Sequence, residues 1–460
     1  MFKRFIGDKA FYRRVLLVAI PIVIQNGITN FVSLLDNIMV GQVGTIPMSG
    51  VTIVNQLIFV FNLCIFGATS GAGIFTAQFY GSCDHDGIRH TFRYKFLICT
   101  ILSILGIGVF AVSGTPLINL YLTGEGNAEE AGQMLTYGLE YLKIMLIGFL
   151  PFAIGNAYSS TLRESGETTV PMLGGIAAVF VNLILNYILI FGKFGAPAMG
   201  VAGAAWATSI SRFVELAIVA GWAHRNTQKM PFILGAYRTF RIPRQLSRAI
   251  TFKGLPLMAN EFFWASGMAF LAQCYSTCGL DVVPAFNIAN TLFNLTSVAF
   301  LAMGTAVGII MGQMLGAGRS EADIRDANQK LVFVAILCGL AFGLAMAAVS
   351  GSFPRLYNTT DTVRHIAKML ILISAGIMPF NAYTTSAYFT LRSGGKTAIT
   401  FIFDCGFVWC IIVPIAFFLS RYTAITIIPL YLICQCTDFI KCALGYWMIK
   451  KGTWIQNLVG

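Results

Sequence analysis

Twelve long apolar segments, each close to the length of a bilayer-crossing helix, dominate this chain. A span needs ~20 largely apolar residues. Segments at about 15–40, 51–80, 95–118, 133–160, 171–192, 200–222, 254–276, 284–315, 331–350, 367–390, 398–419 and 424–448 meet that requirement. Lipid offers no partners to open backbone groups, so each segment is expected to be helical. The fold class that follows is an all-α polytopic membrane protein. Composition leaves little room for another: 57% of the 460 residues are hydrophobic and 11% charged, against ~25% charged in an ordinary soluble domain.

The net charge of +12 is explained by topology, not by nucleic acid, because the basic residues fall between the apolar segments. With the N-terminus placed in the cytoplasm, 23 of the 31 Lys and Arg residues lie on the inside and five on the outside. The inside set includes Arg89, Arg93, Lys95 and Arg163. Only Lys143, Arg212 and Lys441 fall within spans. This is a strong positive-inside bias, and both termini are expected in the cytoplasm. The opening MFKRFIGDKAFYRR is basic and leads into a full-length span, so it reads as a retained cytoplasmic segment, not a cleaved signal. The eleven cysteines lie mostly in apolar stretches, without CxxC or a histidine cluster. No metal site or disulfide framework is expected.

The two halves repeat. At a shift of 235 residues Pro21, Asn55, Gly73, Gln78 and Gly81 meet Pro256, Asn290, Gly308, Gln313 and Gly316. Further on, LRESGET at 162–168 meets LRSGGKT at 391–397. Chance matches between helices are mostly apolar; matched Asn, Gln, Pro, Arg and Gly are not of that kind. The expected organisation is two pseudo-symmetric six-helix bundles, 1–230 and 231–460, joined by a basic cytoplasmic linker at about 223–253. Six spans return the chain to its starting side, so the repeats share one orientation. Two bundles around a cleft suit a transporter.

A charge at mid-bilayer costs ~3 kcal/mol on insertion scales and is usually kept for function. Asp36 sits in FVSLLDNIMVGQVG with no cation within ten residues. On a helix Ser33, Thr29 and Gln25 line up with it as one polar stripe, flanked by Asn26, Asn30 and Asn37. A carboxylate withdrawn from water can exchange a proton near neutral pH, or hold a cation with nearby amide and hydroxyl oxygens. The plainer alternative is a buried Asp satisfied by its own stripe. In the fifth segment Asn182 and Asn186 are four apart on one face, and Thr208 adds a hydroxyl from the sixth, whose Gly and Ala residues favour close packing. Glu261, five residues after Pro256, is a second titrating candidate or a half-wet surface group. Asp438 with Lys441, and Arg212 with Glu215, read as structural pairs. The four histidines are assigned to loops, and no nucleophile–base or metal constellation points to an enzyme.

IPIVIQNGITNFVSLLDNIMVGQVGT resembles the first helix of multidrug and toxic compound extrusion (MATE) transporters. So do TAQFYG and MGQMLGAG, the two LR motifs, and NLILNYILIFGKFGAPAMGVAGAAWATSISR. The resemblance covers nearly the whole chain. It implies twelve helices in two bundles forming a V, and antiport in which H⁺ or Na⁺ enters as a drug-like compound leaves. It makes Asp36 the coupling carboxylate, with Asn182, Asn186 and Thr208 as neighbours and any Na⁺ at Asp36. Some relatives carry Asp at the position of Asn186. A Na⁺-coupled branch has a Glu where this chain has Trp264 and an Asp where it has Asn381; Glu261, three residues before Trp264, is the substitute candidate. Gln25, Thr29, Ser33, Trp264 and Asn381 are the candidate substrate-cleft residues.

The expected function is therefore cation-coupled export of cationic or amphipathic organic compounds. The expected setting is the cytoplasmic membrane, as a monomer, with no cofactor beyond the coupling ion and no nucleic acid. Phe (38 residues) and Met (17 residues) would supply an adaptable apolar cleft wall. The rival is a flippase for a lipid-linked sugar or lipid precursor, which calls for several Arg or Lys around a pyrophosphate.

Overall fold

The computed structural model describes residues 7–122 and 128–460. Lys3 and Arg4 of the expected cytoplasmic segment, and the side chains of Ser33, Leu34, Asn37 and Ala128, lie outside the described residues. Among the described residues there are twelve long helices. These are α1 (Lys9–Gly41), α2 (Thr45–Gly81), α3 (His85–Leu122), α4 (Ala128–Glu164), α5 (Thr169–Phe191), α6 (Gly200–Arg225), α7 (Arg244–Ser276), α8 (Val282–Gly316), α9 (Glu321–Val349), α10 (Asp361–Ser393), α11 (Thr397–Tyr422) and α12 (Ile427–Lys451). Ten are long and apolar enough to cross a membrane. The other two, α6 and α7, carry Arg212, Glu215, His224 and Arg225, and Arg244, Arg248, Lys253 and Glu261, which lower their hydropathy.

The helices run past the apolar segments by up to three turns, because protein replaces water around the polar residues. Lys95, expected in a cytoplasmic loop, is 0% exposed inside α3. Its ammonium pairs with Glu164 and donates to Ser160 at 3.1 Å. Arg93, just over two turns into α3, donates to the carbonyls of Gly235 at 2.7 Å and Ala236 at 2.8 Å, pinning the basic linker. All four histidines, expected in loops, fall in helices: His85 and His90 in α3, His224 in α6 and His365 in α10.

The chain divides into two compact units. One comprises Ile24–Thr76 and Asp84–Thr251. Its core runs through Val54, Ile65, Cys99, Ile118 and Leu142, with Phe61 stacked on Phe149 at 4.1 Å. In lipid, helices associate through close packing of small residues, and α6 shows it. A Cβ on Gly203 would stand 2.7 Å from the Leu189 carbonyl, and one on Gly148 would stand 3.2 Å from Ser209 Oγ.

The other unit comprises residues 7–23, Ala77–Cys83 and Phe252–Gly460. Val15, Val18 and Ile22 of α1 pack with Ala306, Val307 and Ile310 of α8. Here the repeated residues meet each other. A Cβ on Gly81 would lie 1.9 Å from the Gln313 carbonyl oxygen, and one on Gly316 would lie 1.8 Å from that of Gln78. Each glycine thus lies against the other's glutamine, and the ends of α2 and α8 cross in backbone contact. Gln78 is fully buried; it donates to the Ser393 carbonyl at 3.0 Å and accepts from Leu458 N at 2.7 Å. Gln313 accepts from Arg14 at 2.9 Å. The two LR motifs share a backbone conformation as well: Gly166 and Gly395 both close a helix at positive φ, 83° and 73°, where glycine is unstrained.

Candidate functional site

Within the first unit, α1, α4, α5 and α6 enclose a cavity of about 300 Å³. Gln25, Thr29 and Asp36 of α1 line it, together with Asn182 and Thr208. The expected polar stripe therefore faces inward. Asp36 Oδ1 accepts a hydrogen bond from Asn186, which is fully buried behind the wall. Asn186 also donates to Asn182 Oδ1 at 3.2 Å, and Asn182 donates to Thr208 Oγ1 at 3.1 Å. The row of amides extends from the carboxylate across α5 to α6. Tyr141 of α4, an electrostatic neighbour of Asp36, donates to Asn55 at 3.3 Å, one of the residues repeated in the second half.

Three buried oxygens at this cavity have no hydrogen-bond partner among the described residues: Asn186 Oδ1 beside Asp36, and Gln25 Oε1 and Ser159 Oγ further along it. A buried acceptor left unpaired is rare in folded proteins. Beside the carboxylate, the Asn186 oxygen adds a second acceptor suited to a proton or a small cation. The far side is charged in both senses. Arg212 pairs with Glu215 at 3.1 Å and lies over the Phe152 ring at 5.2 Å, while Arg163 of α4 also reaches the wall.

Residues 21–188 and 256–418 match the MatE family. The chain belongs to the MatE family. It is a MATE transporter, a multi-pass membrane protein built on the fold that the resemblance implied. The probable multidrug resistance protein NorM of Thermotoga maritima is 24% identical to it over 453 residues, covering 97% of this chain and 94% of that protein. The probable multidrug resistance protein YoeA of Bacillus subtilis is 22% identical, covering 91% of this chain and 89% of its own. Among solved structures, an outward-facing multidrug resistance MATE family transporter of the MOP superfamily superposes with a TM-score of 0.84 at 19% identity, covering 98% of both chains. A MOP superfamily transporter from Pyrococcus furiosus gives 0.83 at 19% identity over 97% of each chain. Likeness at that identity speaks for the fold alone.

In this MATE transporter, then, Asp36, Asn182, Asn186, Thr208, Gln25 and Thr29 come together in one unit. Ser33 shares the stripe by sequence, but its side chain lies outside the described residues. Glu261, Trp264 and Asn381 belong to the other unit and do not line this cavity. Trp264 is exposed, and Asn381 is half-buried in α10. Glu261 is half-buried in α7, with Arg392 and Asp404 as its charged neighbours. The expected Asp438–Lys441 pair is corrected. Lys441 reaches across to Asp404 on α11 at 2.7 Å, and Asp404 also accepts from Asn260 at 3.1 Å. Asp404 lies on a π-helical stretch, Ile402–Gly406, which turns its side chain towards α7 and α12. In-helix spacing favoured the near neighbour; the bundle brings a better one from another helix.

Sequence reasoning missed four lining residues of α4: Phe152, Asn156, Ser159 and Arg163. Their spacing of four, three and four is a helical face. The spacing is legible in the sequence, but Arg163, just past the end of an apolar run, reads there as a cytoplasmic loop residue.

Proposed function

We propose that this MATE transporter is a proton- or sodium-coupled antiporter that exports cationic or amphipathic organic compounds across the cytoplasmic membrane. The observation that carries the reading is the placement of Asp36: a carboxylate on a cavity wall, bonded to an amide and not to a cation, whereas the other lining carboxylate, Glu215, is held by Arg212. Such a group holds one positive partner at a time. With a proton or Na⁺ aboard it is neutral and has no attraction for an organic cation. With the ion gone, the anion attracts the substrate. Binding of ion and substrate is then mutually exclusive, and a downhill ion drives an uphill substrate. Coupling runs through the first unit, with Glu261 as a secondary group in the second. Both termini are cytoplasmic, the working unit is a monomer, and the transport involves no bond-making chemistry.

The flippase alternative calls for several basic side chains free of carboxylates. Of the two arginines at the cavity, Arg212 is taken up by Glu215, which favours export. The test is transport by the purified protein in liposomes, with ethidium as the reporter and either a pH or a Na⁺ gradient imposed. Ethidium movement driven by one of the gradients is expected. No movement under either would remove cation-coupled export and leave the flippase as the reading to pursue.

A further inference from the structure

The segment between α6 and α7 is strongly basic, and no carboxylate of its own answers the charge. Residues 216–260 contain no Asp or Glu, while Arg225, Lys229, Arg238, Arg241, Arg244 and Arg248 fall within them. The segment joins the sixth and seventh helices of the MATE fold, so it lies at a bilayer face. It is a fixed platform, docked on the first turns of α3. Phe232, Ile233 and Ala236 are buried, and the Phe92 ring meets those of Phe232 at 5.5 Å and Tyr237 at 6.3 Å. Arg93 holds the carbonyls of Gly235 and Ala236, and Arg89 donates to that of Phe232 at 3.2 Å. Further along, Tyr94 is hydrogen-bonded to Thr251 at 2.8 Å.

The carboxylates at the start of α3 are already engaged. Asp86 pairs with Arg89, and Asp84 accepts from the Gly87 amide at 2.9 Å. The cations of the platform are not. Arg225, Lys229, Arg238, Arg241 and Arg244 are exposed, and among the described residues none of them forms an ion pair. Large apolar side chains stand between them: Leu234 is 56% exposed and Phe240 45%. Phe240 is held in place by stacking on Phe96 at 6.0 Å. Unpaired cations interleaved with exposed apolar groups are costly in plain water. At a bilayer surface both are satisfied, because apolar side chains enter the acyl boundary while the arginines stay with the phosphates.

We propose that this platform is a binding surface for anionic phospholipid of the cytoplasmic leaflet, with headgroup phosphate on the arginines at 238, 241 and 244 and acyl chain beside Leu234 and Phe240. The planar five-donor fork of arginine matches phosphate bidentately. A zwitterionic lipid carries its own ammonium and cancels most of that attraction, so net negative charge is what the surface selects. The inference rests on the membrane orientation proposed above and is independent of ion coupling at Asp36.

The test uses phosphatidylglycerol with a fluorophore at the end of one acyl chain, added to the full-length protein in neutral detergent and followed by anisotropy. Phosphatidylcholine with the same label is the control. One basic residue at an anionic surface is worth about fivefold in affinity. Wild type is expected to prefer phosphatidylglycerol at least about tenfold. Arg238→Gln, Arg241→Gln and Arg244→Gln together should weaken phosphatidylglycerol about a hundredfold and leave phosphatidylcholine unchanged. Lysine at the same three positions should keep most of the preference. Equal binding of the two lipids by wild type overturns the proposal, as does a preference that survives the three glutamines. Displacement of the lipid by glycerol phosphate or inorganic phosphate, at concentrations where unlabelled phosphatidylglycerol displaces it, also overturns it and assigns the surface to a soluble phosphate. If the glutamine variant misfolds, the wild-type lipid ratio and the lysine variant decide. Detergent has no sides, so a failure here is distinct from a reversed orientation, which reporter fusions on the two sides of the membrane would reveal.

Discussion

At the scale of residues, the central feature is a carboxylate whose company is amides. Asp36 takes one hydrogen bond from Asn186, which is itself tied to Asn182 and Thr208. The single negative charge leaves the site open to a proton or to a weakly held cation. Replacing Asn186 by Asp adds a second carboxylate against the first. Two like charges at contact distance inside a bundle repel by several kcal/mol, and a bound cation relieves that repulsion. Asn186→Asp is therefore expected to bind Na⁺ at least about tenfold more tightly than wild type, read by calorimetry on the purified protein. Unchanged Na⁺ affinity would mean that residue 186 and Asp36 do not share one ion. Much of this site was legible in the sequence. The stripe Gln25, Thr29 and Asp36 follows from helical periodicity, and the Asn182–Asn186 face from a spacing of four. Arg163 and Lys95 were not legible, because a charge near the end of an apolar run looks like a loop residue until the helix that buries it is seen.

At the scale of elements, glycines set how closely the helices approach. Gly81 and Gly316 each lie where a methyl group would strike a carbonyl oxygen of the facing helix, at 1.9 Å and 1.8 Å. Backbone cannot swing aside as a side chain can, so Gly316→Ala forces α2 and α8 apart. A loss of about 1–3 kcal/mol is expected, the usual range for overpacking, seen as a lower melting temperature of the detergent-purified protein. An unchanged melting temperature would mean that the crossing is looser than described. The sequence marked these glycines through the repeat: they align at a shift of 235 with Gln78 and Gln313 beside them. It did not say that the two copies touch each other, because self-similarity records common shape and carries no contact. The Asp404–Lys441 pair was missed for a related reason. Spacing along one helix says nothing about a partner brought by another, and the π-helical stretch that aims Asp404 leaves no mark in the pattern of apolar residues.

At the scale of the whole molecule, the duplication supplies a common frame, and the proposed ion site belongs to one copy. Asp36 aligns with Leu271, which is buried in the apolar core of the second unit, so the carboxylate was never part of the repeated scaffold. The orientation inferred from the basic residues can be tested separately. Green fluorescent protein fused after Gly460 should fluoresce. Alkaline phosphatase inserted after Phe194, which is 89% exposed between α5 and α6, should be active; the reverse pattern would invert the topology. The account as a whole turns on Asp36. The most direct test is ethidium transport into liposomes containing wild-type protein or Asp36→Asn, measured under the gradient that drives the wild type. The account predicts that Asp36→Asn abolishes gradient-driven accumulation while the protein remains folded. Accumulation at the wild-type rate would contradict it.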